Sequence, residues 1–167
     1  MNDAHLHMVV NHFPIIGTIF GLGILVAGLF LKNNIIKNTA YILFAIAAIF
    51  AFASMNTGEG AEEIVEDFPN IGKQIIHEHE ELAEKFAIVM YVLGIASLLG
   101  LYLNLKNNAK AKLMSFLVLT VAIVGVILSK AVGTSGGEIR HTEIRENSVE
   151  SAVNKIENKE LETKDTD

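Results

Sequence analysis

The fold is decided by an uncharged apolar run, PIIGTIFGLGILVAGLFL, at Pro14–Leu31. Three more such runs follow, at Thr39–Met55, Phe86–Leu105 and Leu113–Ser129. At 1.5 Å per residue, each run in helical form spans roughly the 30 Å hydrocarbon core of a bilayer. Because an unpaired strand leaves its backbone polar groups unsatisfied in lipid, each run is expected to be a helix. The sequence therefore predicts an all-α integral membrane protein, an antiparallel four-helix bundle with spans near 14–31, 39–55, 86–105 and 113–129.

Composition agrees with that prediction and excludes several classes of protein. The chain has 167 residues, of which 51% are hydrophobic and 19% charged, and it has no Cys. Without Cys there is no disulfide framework, thiol chemistry or thiolate metal site. A net charge of −6 lacks the basic footprint that nucleic-acid binding requires. We expect one transmembrane domain over residues 1–141 and a charged, mostly disordered tail over 142–167.

The distribution of charge predicts the orientation of the spans. The connections Lys32–Asn38 and Lys106–Lys112 together hold five Lys and no acidic residue, whereas all 19 Asp and Glu lie elsewhere. Short loops rich in Lys mark the cytoplasmic side of a membrane. Both termini are therefore expected outside, and the first span is expected to be retained because no small-residue cleavage site follows it.

The acidic segment Asn56–Lys85 is expected to fold as a lid over the outer end. Its sequence indicates a turn at Asn56–Gly58, a short helix at Glu59–Asp67 and a break at Phe68–Gly72. From Lys73 a helix is expected to continue without interruption into the third span. Within the first span, the stripe of small residues that includes Gly17, Gly21 and Gly28 predicts close approach of a neighbouring helix.

All the histidines fall on the predicted outer face. They are His5, His7, His12, His77, His79 and His141. Residues two apart on a helix point about 200° apart, so only one of His77 and His79 faces inward. His79 shares its helix side with Ala83, Phe86 and Met90, and it is expected to be the inward one. His5 and His7 are expected in an extended segment leading to the helix start, which Pro14 fixes next to His12.

The glycine-rich stretch before His141 is expected to end the fourth helix and turn the chain back towards the rim. With that turn, four histidines are expected to converge on one centre: His7, His12, His79 and His141. Glu59 and Glu62 are candidates to complete a mixed metal shell, while His5 and His77 are expected to be peripheral. The same stretch matches Gly-x-Ser-x-Gly around Ser135, but four helices do not supply the strand-to-helix turn which that motif requires.

Two motifs in the chain resemble those of an uncharacterised bacterial membrane family, domain of unknown function 2231. The opening HMVVNHFPI at His7–Ile15 matches its His-x4-His-Phe-Pro-Ile signature, with Met8 where the family usually has Pro. Gly136, Gly137, Glu138, Ile139 and His141 match its closing motif, with a shorter gap before the His. The resemblance implies a four-helix protein of the bacterial inner (cytoplasmic) membrane in which separated histidines belong to one design. It implies no activity or ligand.

The histidine set leaves three functions open. A b-type haem, as part of a redox module, needs two imidazoles from different segments of a bundle. A site for a zinc, copper or iron ion fits imidazoles combined with carboxylates. An accessory or structural subunit needs no ligand. No residue is expected to be catalytic, and the partners expected are the lipid bilayer and either a redox membrane complex or a second copy of the chain.

Overall fold

A computed structural model describes residues 2–66, 68 and 71–145, and within these residues it contains helices and no strand. The prediction of an all-α protein is confirmed. The helices, in chain order, are α1 (Asp3–Val10), α2 (His12–Phe30), α3 (Asn34–Val65), α4 (Lys73–Leu105) and α5 (Ala111–Arg140), followed by a 3₁₀ turn at Thr142–Ile144.

Each of the four predicted apolar runs lies within one of the long helices α2 to α5, except that Leu31 caps the end of α2. All four helices are long and apolar enough to cross a membrane, α2 being counted together with α1; the mean hydropathy of their best windows is 1.9–2.4. At 32 residues, α3 is about 48 Å long, which exceeds the roughly 30 Å of a hydrocarbon core. The excess length extends α3 and α4 at the end that carries the acidic residues.

The glycines of α2 bring α3 into close contact, as the small-residue stripe predicted. A Cβ on Gly17 would lie 2.9 Å from the Cβ of Ala47, and one on Gly21 would lie 2.5 Å from the ring of Phe44. Near the end of α2, a Cβ on Gly28 would lie 2.8 Å from the backbone N of Lys37, just after the start of α3. Only hydrogen atoms fit at these positions, so the packing of α2 on α3 depends on them.

The interior is mainly apolar, and one hydrogen bond and one hydroxyl–sulfur contact join helices across it. The fully buried side chains include Leu25, Phe44, Met90, Leu93 and Val118. The Tyr41 hydroxyl on α3 donates to Ser115 Oγ on α5 over 2.8 Å, and the Thr18 hydroxyl on α2 lies 3.1 Å from Met90 Sδ on α4. These contacts tie non-consecutive helices together, α3 to α5 and α2 to α4.

The predicted turn at Asn56–Gly58 is wrong, because α3 continues as helix to Val65. The Asn56 side chain donates to the Phe52 carbonyl over 2.8 Å, so its amide has a hydrogen-bond partner one turn earlier in the same helix. Gly58 and Gly60 do not bend the chain; they make room for α1. A Cβ on Gly60 would lie 2.6 Å from Asp3 Oδ2, and one on Gly58 would lie 3.6 Å from His7 Cε1.

The predicted turn before His141 is also wrong, because α5 runs through its glycines to Arg140 and no described glycine has a positive φ. Gly136 faces the His79 ring, and a Cβ there would lie 2.9 Å from Cε1. The extended segment expected around His5 and His7 is likewise helical, as α1. In all three segments, the residues are compatible with either a helix or a non-helical turn or extended chain. Contact with a neighbouring helix favours the helix.

Most of the predicted lid, Asn56–Lys85, belongs to α3 and α4 and does not form a separate structure. Among the described residues of this segment, Glu66, Phe68, Ile71 and Gly72 lie outside the helices, and Phe68 lies under the guanidinium of Arg140 at 5.7 Å. The start of the predicted tail folds back on α5, since Arg145 Nε donates to the Glu138 carbonyl over 2.8 Å. The rest of the predicted disordered tail, residues 146–167, lies outside the described residues.

Candidate functional site

The candidate site lies where α1, the last turns of α3 and α5 and the first turns of α4 meet, which we call the histidine end. Pro14 helps to place α1 there. It has no N–H to bond the carbonyl of Val10, and the α1–α2 junction falls between them at Asn11. Asn11 keeps right-handed helical angles (φ −67°, ψ −21°), so the register of side chains continues across the junction.

The imidazole of His7 is half-buried and held through its Nδ1 atom against α3. Nδ1 lies 3.1 Å from the Ser54 carbonyl oxygen and 3.2 Å from Thr57 Oγ1. A carbonyl oxygen only accepts, so Nδ1 carries the proton and donates it. The ring lies over Gly58, whose missing side chain makes the space. Nε2 of His7 is therefore left with a free lone pair.

His79 is held against α5 in the same way. Its Nδ1 lies 2.9 Å from Ser135 Oγ, and the Ser135 hydroxyl donates to the Val132 carbonyl over 3.1 Å. Since the single hydroxyl proton is used there, Ser135 Oγ accepts from His79 Nδ1–H. The ring lies over Gly136. Nε2 of His79 again keeps its lone pair, and the prediction that His79 rather than His77 faces inward is confirmed.

The two imidazoles are thus held by matching devices. Each ring donates from Nδ1 to an oxygen on another helix, α3 for His7 and α5 for His79. Each also covers the glycine that follows a hydroxyl residue, in Thr57-Gly58 and in Ser135-Gly136. Hydrogen bonds of this kind fix the tautomer and the orientation of a histidine that binds metal. Here they orient two rings whose Nε2 atoms have no hydrogen-bond partner among the described residues.

Burial lowers the pKa of both rings and so favours their neutral form. Burial lowers the pKa of His7 most, the bond to Ser54 raises it, and the charge of His12 lowers it further. For His79, burial again lowers the pKa most, His7 lowers it further, and Glu80 raises it. The effect of His7 on the pKa of His79 means that each ring lies within range of the other's charge. A neutral imidazole is the form that ligates a metal ion.

A third acceptor lies on the same side of the chain as His7. Asn11 follows His7 by four residues on a continuous helical register, so the two side chains share a helix face. One turn further, Ile15 contacts Gly133, which is one turn from the Gly136 that His79 covers. The Oδ1 atom of Asn11 is buried and has no hydrogen-bond partner. An unpartnered buried oxygen is costly, so this atom is available to accept from water or to bind a cation.

The other predicted site residues lie at the surface or pair with one another. His12 is exposed, and its Nδ1 lies 2.9 Å from the Met8 carbonyl. His141 caps α5, and its Nδ1 lies 2.9 Å from the carboxylate of exposed Glu143. Glu59 is exposed.

Glu62 shares a hydrogen bond with Glu80, which raises the pKa of Glu62 more than its partial burial does. His77 is exposed between Glu80 and Glu81, at 3.7 and 3.5 Å, as expected of a peripheral residue. His5 is also exposed, and its backbone N–H is bonded by the Asn2 side chain.

Two further observations bear on what the site can hold. Within residues 2–66, 68 and 71–145, no three side chains of His, Asp or Glu form a group that could hold a metal ion. The two best-formed cavities, about 270 and 160 Å³, are lined by other residues and by no His. Both are smaller than the roughly 300–1,000 Å³ typical of sites for drug-sized ligands.

Sequence reasoning missed Asn11, Thr57 and Ser135. For Thr57 and Ser135, the sequence did contain a signal: a hydroxyl residue followed by Gly occurs in the last third of both α3 (Thr57-Gly58) and α5 (Ser135-Gly136). Comparisons with protein-family models, with curated proteins and with solved structures find no match for this chain. The resemblance to domain of unknown function 2231 therefore stays a prediction.

Proposed function

We propose that this chain is a multi-pass protein of the bacterial inner membrane that binds a transition-metal ion at its outer face. In this proposal α2 to α5 form an antiparallel four-helix bundle across the bilayer. Large apolar side chains near the middle of each helix support membrane insertion. Phe20, Ile49, Ile95 and Ile127 are 63–68% exposed, and a lipid environment removes the cost of that exposure.

The orientation is supported by the separation of charge between the two ends. The short connections at the end opposite to the histidines contain only Lys among charged residues. With that end in the cytoplasm, both termini and the histidine end face outward. The metal site then lies at the rim of the bundle, at the level where the helices leave the hydrocarbon core.

The observation that carries the proposal is the matched anchoring of His7 and His79. Their Nδ1 protons are used on neighbouring helices, which leaves their Nε2 lone pairs free, and the buried Asn11 Oδ1 is a further acceptor. Neutral imidazole nitrogens and an amide oxygen are groups that can ligate a cation. Imidazole nitrogen with a single amide oxygen suits zinc, copper, iron or nickel, and solvent completes the shell.

A single ion fits this site better than the haem that the histidine pattern also suggested. Bis-imidazole ligation matches the donors, but a macrocycle needs a slot between the rings. The His79 ring packs against α5 so closely that a Cβ on Gly136 would lie 2.9 Å from it, which leaves no slot on that side. The ion-binding function predicts a colourless zinc-loaded protein, whereas haem would give a visible Soret band.

The test is calorimetric titration of the full chain in detergent micelles with Zn²⁺, with Cu²⁺ titrated in parallel for electron paramagnetic resonance. Wild type is expected to bind one ion, with nitrogen superhyperfine structure from the imidazoles. His7→Ala and His79→Ala should each weaken binding by more than about 100-fold, since removing even outer-shell partners costs 10–100-fold.

His5→Ala and His77→Ala are matched controls, each two residues from a proposed ligand and exposed. Both should bind as wild type does, because exposed ion pairs such as those of His77 contribute little. Absence of ion binding by wild type, or equal losses in all four variants, would contradict the proposal. A colourless, metal-free protein would leave the accessory-subunit function.

A further inference from the structure

The end of the molecule opposite to the histidines contains a polar cavity of about 270 Å³. It is formed by the start of α3, the end of α4, residues 107–109 of the connection that follows α4, and the start of α5. Its lining side chains are four amides and two ammonium groups: Asn34, Asn104, Asn107, Asn108, Lys37 and Lys112. Such a lining offers many hydrogen-bond donors and a local positive charge.

Within the two segments that form most of the cavity, no acidic residue offsets this charge. The segments 32–38 and 106–112 hold five Lys and no Asp or Glu. Hydrogen bonds also hold the amides in place, since Asn104 Nδ2 donates to Asn38 Oδ1 over 2.9 Å, and the side chain of Asn108 accepts from Lys110 N–H at 2.9 Å. The N-terminus of α5 beside Lys112 has no side-chain cap, so its first-turn N–H groups add to the positive potential.

Apolar residues adjoin the cavity residues in sequence. Ile35 follows Asn34, Leu105 follows Asn104 and Leu113 follows Lys112, and these three side chains are 65–77% exposed. In a membrane-spanning protein, a polar cavity flanked by exposed apolar side chains lies at the level of the lipid headgroups. An anion that reaches the cavity from the bilayer can keep its hydrocarbon chains against those side chains.

We infer that this cavity binds the phosphate group of an anionic phospholipid. Lys37 and Lys112 supply the positive charge, and the surrounding amides supply hydrogen bonds to the phosphate oxygens. Basic pockets between membrane helices are suited to such headgroups, and each Lys near the surface strengthens binding. The site is separate from the histidine end, so it does not depend on the proposed metal function.

The experiment measures retention of lipid by the full chain purified in a neutral detergent. Phosphatidylglycerol is added, bound lipid is quantified by native mass spectrometry, and phosphatidylcholine serves as the net-neutral comparison. In Lys37→Gln/Lys112→Gln, affinity for phosphatidylglycerol should fall about 30-fold, which corresponds to roughly 2 kcal/mol for two lysines. Lys106→Gln/Lys110→Gln removes the same charge from the same end without altering the cavity lining, and it should change affinity by less than about threefold.

Equal losses in the two double variants would overturn the inference, because they would indicate a general surface attraction. Equal affinity of wild type for the two lipids would also overturn it. Glycerol phosphate tests the source of the anion: binding as tight as that of the lipid would show a soluble anion as the ligand and refute the lipid. If Lys37→Gln/Lys112→Gln does not fold, Lys37→Arg/Lys112→Arg replaces it and should retain the preference for phosphatidylglycerol.

Discussion

Replacing Gly136 by Ala tests whether close contact with α5 holds the His79 ring. A Cβ at this position would lie 2.9 Å from Cε1 and 3.4 Å from Nδ1 of His79, so the ring must move. Overpacking of this kind costs about 1–3 kcal/mol, and loss of the bond to Ser135 costs about 1 kcal/mol more. Ala gains about 1 kcal/mol over Gly in a helix, so the net destabilisation is about 1–3 kcal/mol.

Gly137→Ala is the matched control. It is adjacent on the same helix, gains the same helix propensity, and its Cβ would meet only the end of the Ile144 side chain, at 3.2 Å. This end is flexible, so Gly137→Ala is expected to stabilise the protein by about 0.5–1 kcal/mol. The two variants should therefore differ by about 2–4 kcal/mol, or by roughly 4–16 °C in melting temperature for a chain of this size.

The assay is thermal unfolding in detergent, followed by circular dichroism at the helical minimum, with zinc titration of each variant. Gly136→Ala is also expected to bind Zn²⁺ about 10–100-fold more weakly than Gly137→Ala, because the orientation of a ligand depends on its supporting contacts. Equal melting temperatures and equal affinities for the two variants would refute the contact between His79 and α5.

Three further outcomes follow from charge and burial. Because burial lowers the pKa of His79, the folded state binds fewer protons than the unfolded state near pH 6. The free energy of unfolding should therefore fall as the pH drops below about 6.5. In a pH series of melting temperatures, His79→Gln should make that fall less steep. The pKa of Glu62 is raised by its acidic neighbour, so Glu62→Gln should stabilise by a few tenths of a kcal/mol at pH 7 and not near pH 4, whereas exposed Glu63→Gln should do neither. A cysteine at Asn34 should resist a membrane-impermeant thiol reagent in intact cells while one at Gln74 reacts; the chain has no native Cys to interfere, and the reverse pattern would contradict the orientation.

The histidines show which positions could be predicted from the sequence and which could not. The helical period alone was enough to separate His79 from His77, because residues two apart cannot share a face. It could not place His141, because the three glycines before it suit either a turn or a helix against which another side chain packs. Gly136 lies against His79, and that contact, between residues far apart in sequence, decides in favour of helix.

Asn11, Thr57 and Ser135 are site residues that the sequence did not identify. An Asn at a helix junction and a Ser or Thr near a helix end are ordinary in sequence. Their importance appears only when α1 lies on α3 and the start of α4 lies on α5, which brings Nδ1 of each histidine to within 3.2 Å of a hydroxyl oxygen.

The sequence by itself determined four apolar helices and their separation into a lysine-rich and an acidic, histidine-bearing end. Those features depend on hydrophobicity summed over about 20 residues and on charge counts, both of which are properties of the chain read locally. Tertiary structure alone decided which glycines are contacts and which imidazole nitrogens remain free. A glycine or a histidine has several low-energy environments, and the one it adopts is selected by the neighbouring helix that packs against it.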